Sequence, residues 1–153
     1  MSKTVAELMT TSPSSVSRQA TAAEAAKIML EEDVGSVPVV DDAYLIGIVT
    51  DRDIAIRVVA QGRDPKATPV AEIATPDPHY AKPDESVDEA YERMAVWQIR
   101  RLPVVDDDRL VGMLAQADMV HELKDKKAGQ LVDQISQPGL PPFRTARNEV
   151  GIS

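Results

Sequence analysis

The sequence predicts an α/β fold in which small β-sheets are covered by helices. Three observations predict it: an internal duplication, helix-start motifs in both copies, and short apolar runs between the helices. Residues Val5 to Ile54 align without a gap onto Val70 to Met119, at a constant offset of 65 residues. A gapless repeat of this length indicates a duplicated supersecondary unit. Because each copy is too small to bury a good core alone, we expect the two to pack together about a pseudo-twofold axis.

Each copy is predicted to contain a helix, an extended segment, a second helix, two strands and a third helix. Capping-box patterns begin the first two helices of the first copy, at Thr4 and Thr21. Gly35 is expected to end the second helix, and strands are expected over Val37–Val40 and Leu45–Val49. The second copy repeats this order of elements.

The duplication also sets the expected domain boundaries. We expect the first repeat over residues 1–62, a polar linker over 63–69 and the second repeat over 70–135. Residues 136–153 combine prolines and glycines with little periodicity, which predicts a flexible C-terminal tail.

Composition narrows the classes of function. The net charge is −8 and the pI is about 4.7, which disfavours nucleic acid or an anionic membrane as a partner. The chain has no cysteine and no apolar run of membrane-spanning length, so we expect a cytoplasmic protein. His79 and His121 stand apart from other metal-ligand types, and no nucleophile–base pattern or phosphate-binding loop is present. These absences predict a protein that is not an enzyme and has no metal site.

Two stretches carry a resemblance to a known family. The strand Val37–Asp41 and the Gly-x-x-Thr-x-x-Asp turn over Gly47–Asp53 closely resemble the CBS domain, and two such domains in tandem form a CBS pair, or Bateman module. The resemblance covers Val5 to about Leu123. The stretches Thr50–Ile54 and Arg100–Val104 resemble the small stand-alone CBS-pair proteins of the bacterial hypoxic-response type. Since the chain lacks cysteine, the resemblance implies no cysteine or metal role.

The turn after the second strand is the candidate ligand site. A carboxylate such as Asp53 can accept hydrogen bonds from the two vicinal hydroxyls of a ribose. Thr50 supplies a hydroxyl beside a helix N-terminus, where free N–H groups favour phosphate. Gly47 lets a ligand come close to the backbone. The spacing predicts a nucleoside phosphate with its diol at Asp53 and its phosphate near Thr50.

The family resemblance implies further contacts at this site. In CBS pairs the hydroxyl and the aspartate of this turn contact phosphate and ribose, and basic residues of the other repeat meet the phosphate. Here those basic residues are Arg100 and Arg101. The residues implied to line the adenine are Thr11, Pro13, Val16 and Ile48.

The second repeat offers a weaker site, at Gly112 and Asp118. It has Ala115 in place of the hydroxyl, and Gly35 and Ser36 stand where the first site has its arginines. Asp118 is therefore interpreted first as a helix acid, although an uncharged adenosine-like group remains an alternative.

Taken together, the resemblance implies a regulatory module that binds an adenine nucleotide, with AMP first and ATP or ADP next. It requires no cofactor, forms a homodimer and signals to an unknown regulated protein. Two alternatives stay open: an interaction module with vestigial ligand sites, and a module that binds S-adenosylmethionine or NAD, of which the arginine pair disfavours S-adenosylmethionine.

Overall fold

The computed structural model describes residues 3–128 and confirms a mixed α/β fold with a duplicated order of elements. The helices are α1 (Val5–Leu8), α2 (Ala22–Glu32), α3 (Asp51–Ile54), α4 (Val87–Trp97) and α5 (Gln116–Ala128). The strands are β1 (Thr10–Thr11), β2 (Val16–Ser17), β3 (Ser36–Asp41), β4 (Tyr44–Thr50), β5 (Thr75–Pro76), β6 (Arg101–Asp106) and β7 (Arg109–Ala115). A π-helical stretch over Ala55–Val59 continues α3, and a 3-10 turn over Val70–Glu72 replaces α1 in the second copy. The expected end of the second repeat, residues 129–135, and the tail over 136–153 lie outside the described residues.

Helices α2 and α4 begin in the same way, but α2 does not end at the residue that we expected. Thr21 and Ser86 cap α2 and α4, and their hydroxyls accept hydrogen bonds from backbone N–H groups three residues on, at 3.2 and 3.1 Å. The prediction that Gly35 ends α2 is wrong. The helix ends in a left-handed residue, Asp33, whose φ of 55° is matched by a φ of 59° at Gln98 after α4. Aspartate tolerates this conformation better than most side chains, so no glycine is needed there.

The strands form one sheet network in which each repeat completes the other. The hairpins β3–β4 and β6–β7 are joined where Tyr44 pairs with Arg109. The short strand β1 of the first copy pairs with β7 of the second, and β5 of the second copy pairs with β4 of the first. This reciprocal exchange is the arrangement that a pseudo-twofold relation requires.

Each of the two hydrophobic cores contains side chains from the other sequence copy. The core around α2 and β3 contains Val70 and Ile73 from the start of the second copy. The core around α4 and β6 contains Val5 from the start of the first copy. All three side chains are fully buried. The two sequence repeats therefore share their cores.

None of the helices in the described part of the chain has the length and apolar character that a membrane span needs.

Candidate ligand-binding clefts

Thr50 and Asp53 lie together at the end of β4, as the sequence predicts. The Asp53 N–H donates to the Thr50 hydroxyl at 3.0 Å, and the Thr50 N–H donates to Asp53 Oδ2 at 2.9 Å. This reciprocal capping box begins α3. Asp53 is only 9% exposed, and its Oδ1 accepts no hydrogen bond from residues 3–128. The pair thus has a structural role and keeps one carboxylate oxygen for another partner. We call its surroundings the Thr50 cleft.

The helix N-terminus itself does not offer the free N–H groups that we expected for phosphate. The Asp51 N–H donates to the Gly35 carbonyl at 2.9 Å, and the Arg52 N–H donates to Asp51 Oδ1 at 2.8 Å. The Asp53 N–H is taken by Thr50. An anion in this cleft would therefore have to be met by side chains.

Arg101 is the side chain that reaches the Thr50 cleft from the second repeat. Its Nη1 donates to the Ser36 carbonyl at 2.8 Å, and Ser36 is the direct β3 neighbour of Thr50 in the sheet. Burial lowers the pKa of Arg101, and the charge of Glu32 opposes that shift; an arginine nevertheless stays protonated near neutral pH. Arg100 is exposed, and its carbonyl accepts from the Gln116 N–H at 2.7 Å. The structure thus brings Arg101 to the site, while Arg100 faces solvent.

The structure does not bring Thr11, Pro13 and Val16 to the Thr50 cleft. Thr11 pairs with Gly112 on β7, and Pro13 lines a cavity beside that strand. Val16 is buried in the first core. Thr11 and Pro13 are displaced because β1 pairs with β7 of the other repeat, whereas Val16 stays in its own repeat, where β2 pairs with β3. Ile48 does lie at the Thr50 cleft, where it pairs with Thr75 of β5.

Gly47 and Gly112 serve strand packing instead of ligand approach. A Cβ on Gly47 would lie 2.9 Å from the Thr75 carbonyl oxygen. A Cβ on Gly112 would lie 3.0 Å from the Thr10 carbonyl oxygen and would also collide with Met9. Each glycine therefore leaves room for the short strand that pairs with it from the other repeat.

The second site, which we call the Ala115 cleft, contains a cavity of about 270 Å³. Its lining includes Thr10, Pro13, Glu32, Arg101, Met113 and Ala115. Asp118 is exposed in the first turn of α5, and Ala115 has no hydroxyl with which to form a capping box. Arg101 lines this cavity while it bonds Ser36, so its guanidinium lies between the two clefts.

Sequence reasoning missed an aromatic pair at the positions equivalent to Ser14 and Glu32. His79 and Trp97 stack with ring centroids 3.7 Å apart and planes 9° apart. Trp97 also packs against the second core, as its position on the helical stripe of α4 predicts, whereas its stack with His79 has no mark in the local sequence. The 65-residue offset relates this pair to Ser14 and Glu32, both of which line the cavity of the Ala115 cleft, and is the signal that would have drawn attention to it.

Comparison with known proteins agrees with this architecture. The CBS domain family model matches residues 5–60 and again residues 70–125. The chain belongs to the CBS domain family. It is 42% identical over 137 residues to the CBS domain-containing protein YhcV of Bacillus subtilis, covering 89% of this chain and 97% of that protein. It is 35% identical over 136 residues to hypoxic response protein 1 of Mycobacterium tuberculosis, covering 88% and 95%. CBS pairs are regulatory modules, and these two relatives have no enzyme name.

Solved structures of CBS pairs have the same fold. Hypoxic response protein I, solved with two coordinated zinc ions, matches with a TM-score of 0.71 and 35% identity over 78% of this chain and 98% of that one. CBSX2, solved in complex with AMP, matches with a TM-score of 0.70 and 25% identity over 81% and 98%. Protein MJ0100, solved with 5′-methylthioadenosine and S-adenosylmethionine, matches with a TM-score of 0.71 and 30% identity over 82% and 99%. Among the described residues of the present chain, no group of three or more His, Cys, Asp or Glu side chains could hold a metal ion.

Proposed function

We propose that the chain is a regulatory module that binds an adenine nucleotide, AMP first, in the Thr50 cleft. The observation that carries the proposal is the position of Arg101. Its guanidinium bonds the Ser36 carbonyl at 2.8 Å, next to the strand position of Thr50. A cation of the second repeat thereby bonds the backbone of the first repeat at the residue paired with Thr50.

The chemistry of these three groups suits a ribose phosphate. Asp53 Oδ1 would accept from a ribose hydroxyl while Oδ2 continues to cap α3. The Thr50 hydroxyl can donate to a phosphate oxygen while it accepts from the Asp53 N–H. Arg101 would add a charge-assisted hydrogen bond to the same phosphate. The complex of CBSX2 with AMP supports this choice of ligand, and ADP, ATP or NAD would present the same adenosine and phosphate groups.

The Ala115 cleft favours a second, phosphate-free ligand. Its volume of about 270 Å³ is just below the usual range of roughly 300–1,000 Å³ for small-molecule sites. It has no hydroxyl at Ala115, and the positive charge of Arg101, which lines the same cavity, is offset by Glu32. We propose that any ligand here is an adenosine-like group without phosphate, in line with the ligands of MJ0100. Such a ligand would be S-adenosylmethionine or a related nucleoside.

Transmission of the signal would use a homodimer. Leu30 on α2 is 81% exposed and Val96 on α4 is 78% exposed, and a dimer that buried these side chains would remove apolar surface from water. We propose that two copies pair through these helices in the cytoplasm, and that a bound nucleotide biases their geometry for a regulated protein to read. Sedimentation equilibrium should show a dimer that Leu30→Glu together with Val96→Glu dissociates.

The test of the function is a titration of the purified protein with AMP, ADP, ATP, NAD and S-adenosylmethionine. A ligand that binds the native state raises the melting temperature by mass action, and calorimetry then gives its affinity and stoichiometry. The proposal expects saturable binding of at least one adenine nucleotide. If none of the five ligands binds, the competing interpretation holds: the chain is an interaction module whose clefts are vestigial.

A further inference from the structure

In each repeat, the segment that follows the short exchanged strand, β1 or β5, contacts the end of a helix, α2 or α4. At the Ala115 cleft the contact is polar, because the Ser14 hydroxyl donates to a Glu32 carboxylate oxygen. Both residues line that cavity. The equivalent positions, 65 residues on, are His79 and Trp97, and their contact is an aromatic stack. Thr75 of β5 pairs with Ile48 in the register in which Thr10 of β1 pairs with Met113, so the repeat relation assigns this stack to the Thr50 cleft. The geometry is thus repeated while its chemistry differs.

Trp97 is held in place from within the second repeat. It is partly buried against the second core, and the Arg93 guanidinium lies 5.5 Å from its ring centroid. Arg93 is itself fixed by an ion pair with Glu85 and a 3.4 Å hydrogen bond to the Tyr80 carbonyl. The indole therefore presents a fixed face to its stacking partner.

His79, in contrast, is held by little besides the stack. It is exposed on the segment that follows β5, and it donates and accepts no hydrogen bond within residues 3–128. Its ring lies almost parallel to the indole at van der Waals distance, which is the geometry of a stacked nucleobase. A larger aromatic ring could take its place without breaking a hydrogen bond.

We propose that Trp97 is a base-stacking residue of the Thr50 cleft and that the purine of a bound nucleotide replaces His79 on its indole face. The inference rests on the proposed function and adds the residue on which the base stacks. A purine covers more of the indole than an imidazole does, and base–aromatic stacking stabilises a bound nucleotide whatever the base. Glu32 offers no such face, so purine nucleotides would select the Thr50 cleft over the Ala115 cleft.

Trp97 is the only tryptophan in the chain, so its fluorescence reports on this contact directly. We expect AMP to change the Trp97 emission with the same midpoint that calorimetry gives for binding. His79→Ser, which installs the residue found in the first repeat, should tighten AMP binding several-fold because no ring has to be displaced. Trp97→Leu should weaken it about tenfold, as loss of a stacking partner predicts. Arg18→Ala, which removes the exposed ion pair with Asp41, is the control and should leave the affinity unchanged.

Folding and function must be separated in this test. Trp97→Phe keeps an aromatic face and should bind AMP within a few-fold of the wild type, whereas circular dichroism will show whether Trp97→Leu is folded. If calorimetry detects AMP but the emission does not respond and both Trp97 variants bind like the wild type, the stacking proposal is wrong and the nucleotide proposal stands. If calorimetry detects no purine nucleotide at all, both proposals are wrong.

Discussion

At the scale of single residues, Asp53 combines two roles that sequence alone could not separate. One carboxylate oxygen caps α3 through the Thr50 N–H, and the other accepts no hydrogen bond from residues 3–128. The equivalent Asp118 is exposed and faces an alanine cap position. The asymmetry read from the sequence is therefore present in the burial and bonding of these two aspartates.

The capping box makes a stability prediction that is independent of any ligand. Thr50→Ala and Asp53→Ala should each lower the free energy of unfolding by about 1 kcal/mol, because each removes one half of the reciprocal cap. The double variant should cost less than the sum, since either change breaks the same motif. Urea denaturation measures all three. Asp118→Ala is the control, and a loss there equal to that of Asp53→Ala would contradict the account.

Gly47 makes a second prediction at this scale. Gly47→Ala should destabilise the fold by roughly 1–3 kcal/mol, because the new Cβ would press on a backbone carbonyl that cannot move away easily. The contact is the Thr75 oxygen at 2.9 Å. If denaturant unfolding shows a change below about 0.5 kcal/mol, the glycine is not needed for the strand crossing and its role must lie elsewhere.

At the scale of elements, Glu85 and Arg93 tie the start of α4 to its last turns. Burial alone would raise the pKa of Glu85, but hydrogen bonds from the Arg93 side chain and the Lys82 N–H outweigh it and leave the pKa lowered. Arg93 also donates to the Tyr80 carbonyl, so the pair links α4 to the segment that leads into it. It therefore helps to position the helix end that contains Trp97.

This ion pair predicts an acid-sensitive contribution to stability. A carboxyl with a lowered folded-state pKa stabilises the fold above its unfolded pKa, whose ordinary value is 4.5. That contribution is lost as the pH falls through the folded value. Glu85→Gln should therefore lower stability at pH 7 by at most about 1 kcal/mol, with a difference that shrinks below pH 4. Thermal unfolding of the wild type and of Glu85→Gln, measured from pH 3 to pH 7 in steps of about one pH unit, shows whether their difference in stability shrinks at low pH. A difference that grows toward low pH would contradict it.

Most elements were predictable from local sequence, and the exchange between repeats was not. The capping residues Thr21 and Ser86 mark helix starts within a few residues of themselves, so a short window identifies α2 and α4. The pairing of Thr11 with Gly112 leaves no such mark, because its partners lie on opposite repeats and each strand is two residues long. For this reason the sequence brings Thr50 and Asp53 together as the structure does, whereas it gives no sign that Thr11 and Pro13 lie beside β7.

At the scale of the whole molecule, the exchange of Val5, Val70 and Ile73 makes the repeats mutually dependent. A chain of residues 1–62 should not fold alone, because it lacks the side chains that fill the first core. We expect residues 1–62 to give the circular dichroism and narrow amide proton dispersion of an unfolded chain. Residues 1–128 contain both cores and should unfold cooperatively. A folded, monomeric 1–62 fragment would contradict the exchanged architecture.

The central claim is that the Thr50 cleft is the nucleotide site, and calorimetric titration of AMP into Asp53→Asn and Asp118→Asn tests it most directly. Both substitutions keep the side-chain size and remove one negative charge. The account predicts that Asp118→Asn binds like the wild type. It also predicts that Asp53→Asn weakens binding by about tenfold or more, the loss expected for a hydrogen bond to a charged group. Unchanged binding by Asp53→Asn with loss of binding by Asp118→Asn would contradict the account and move the site to the Ala115 cleft.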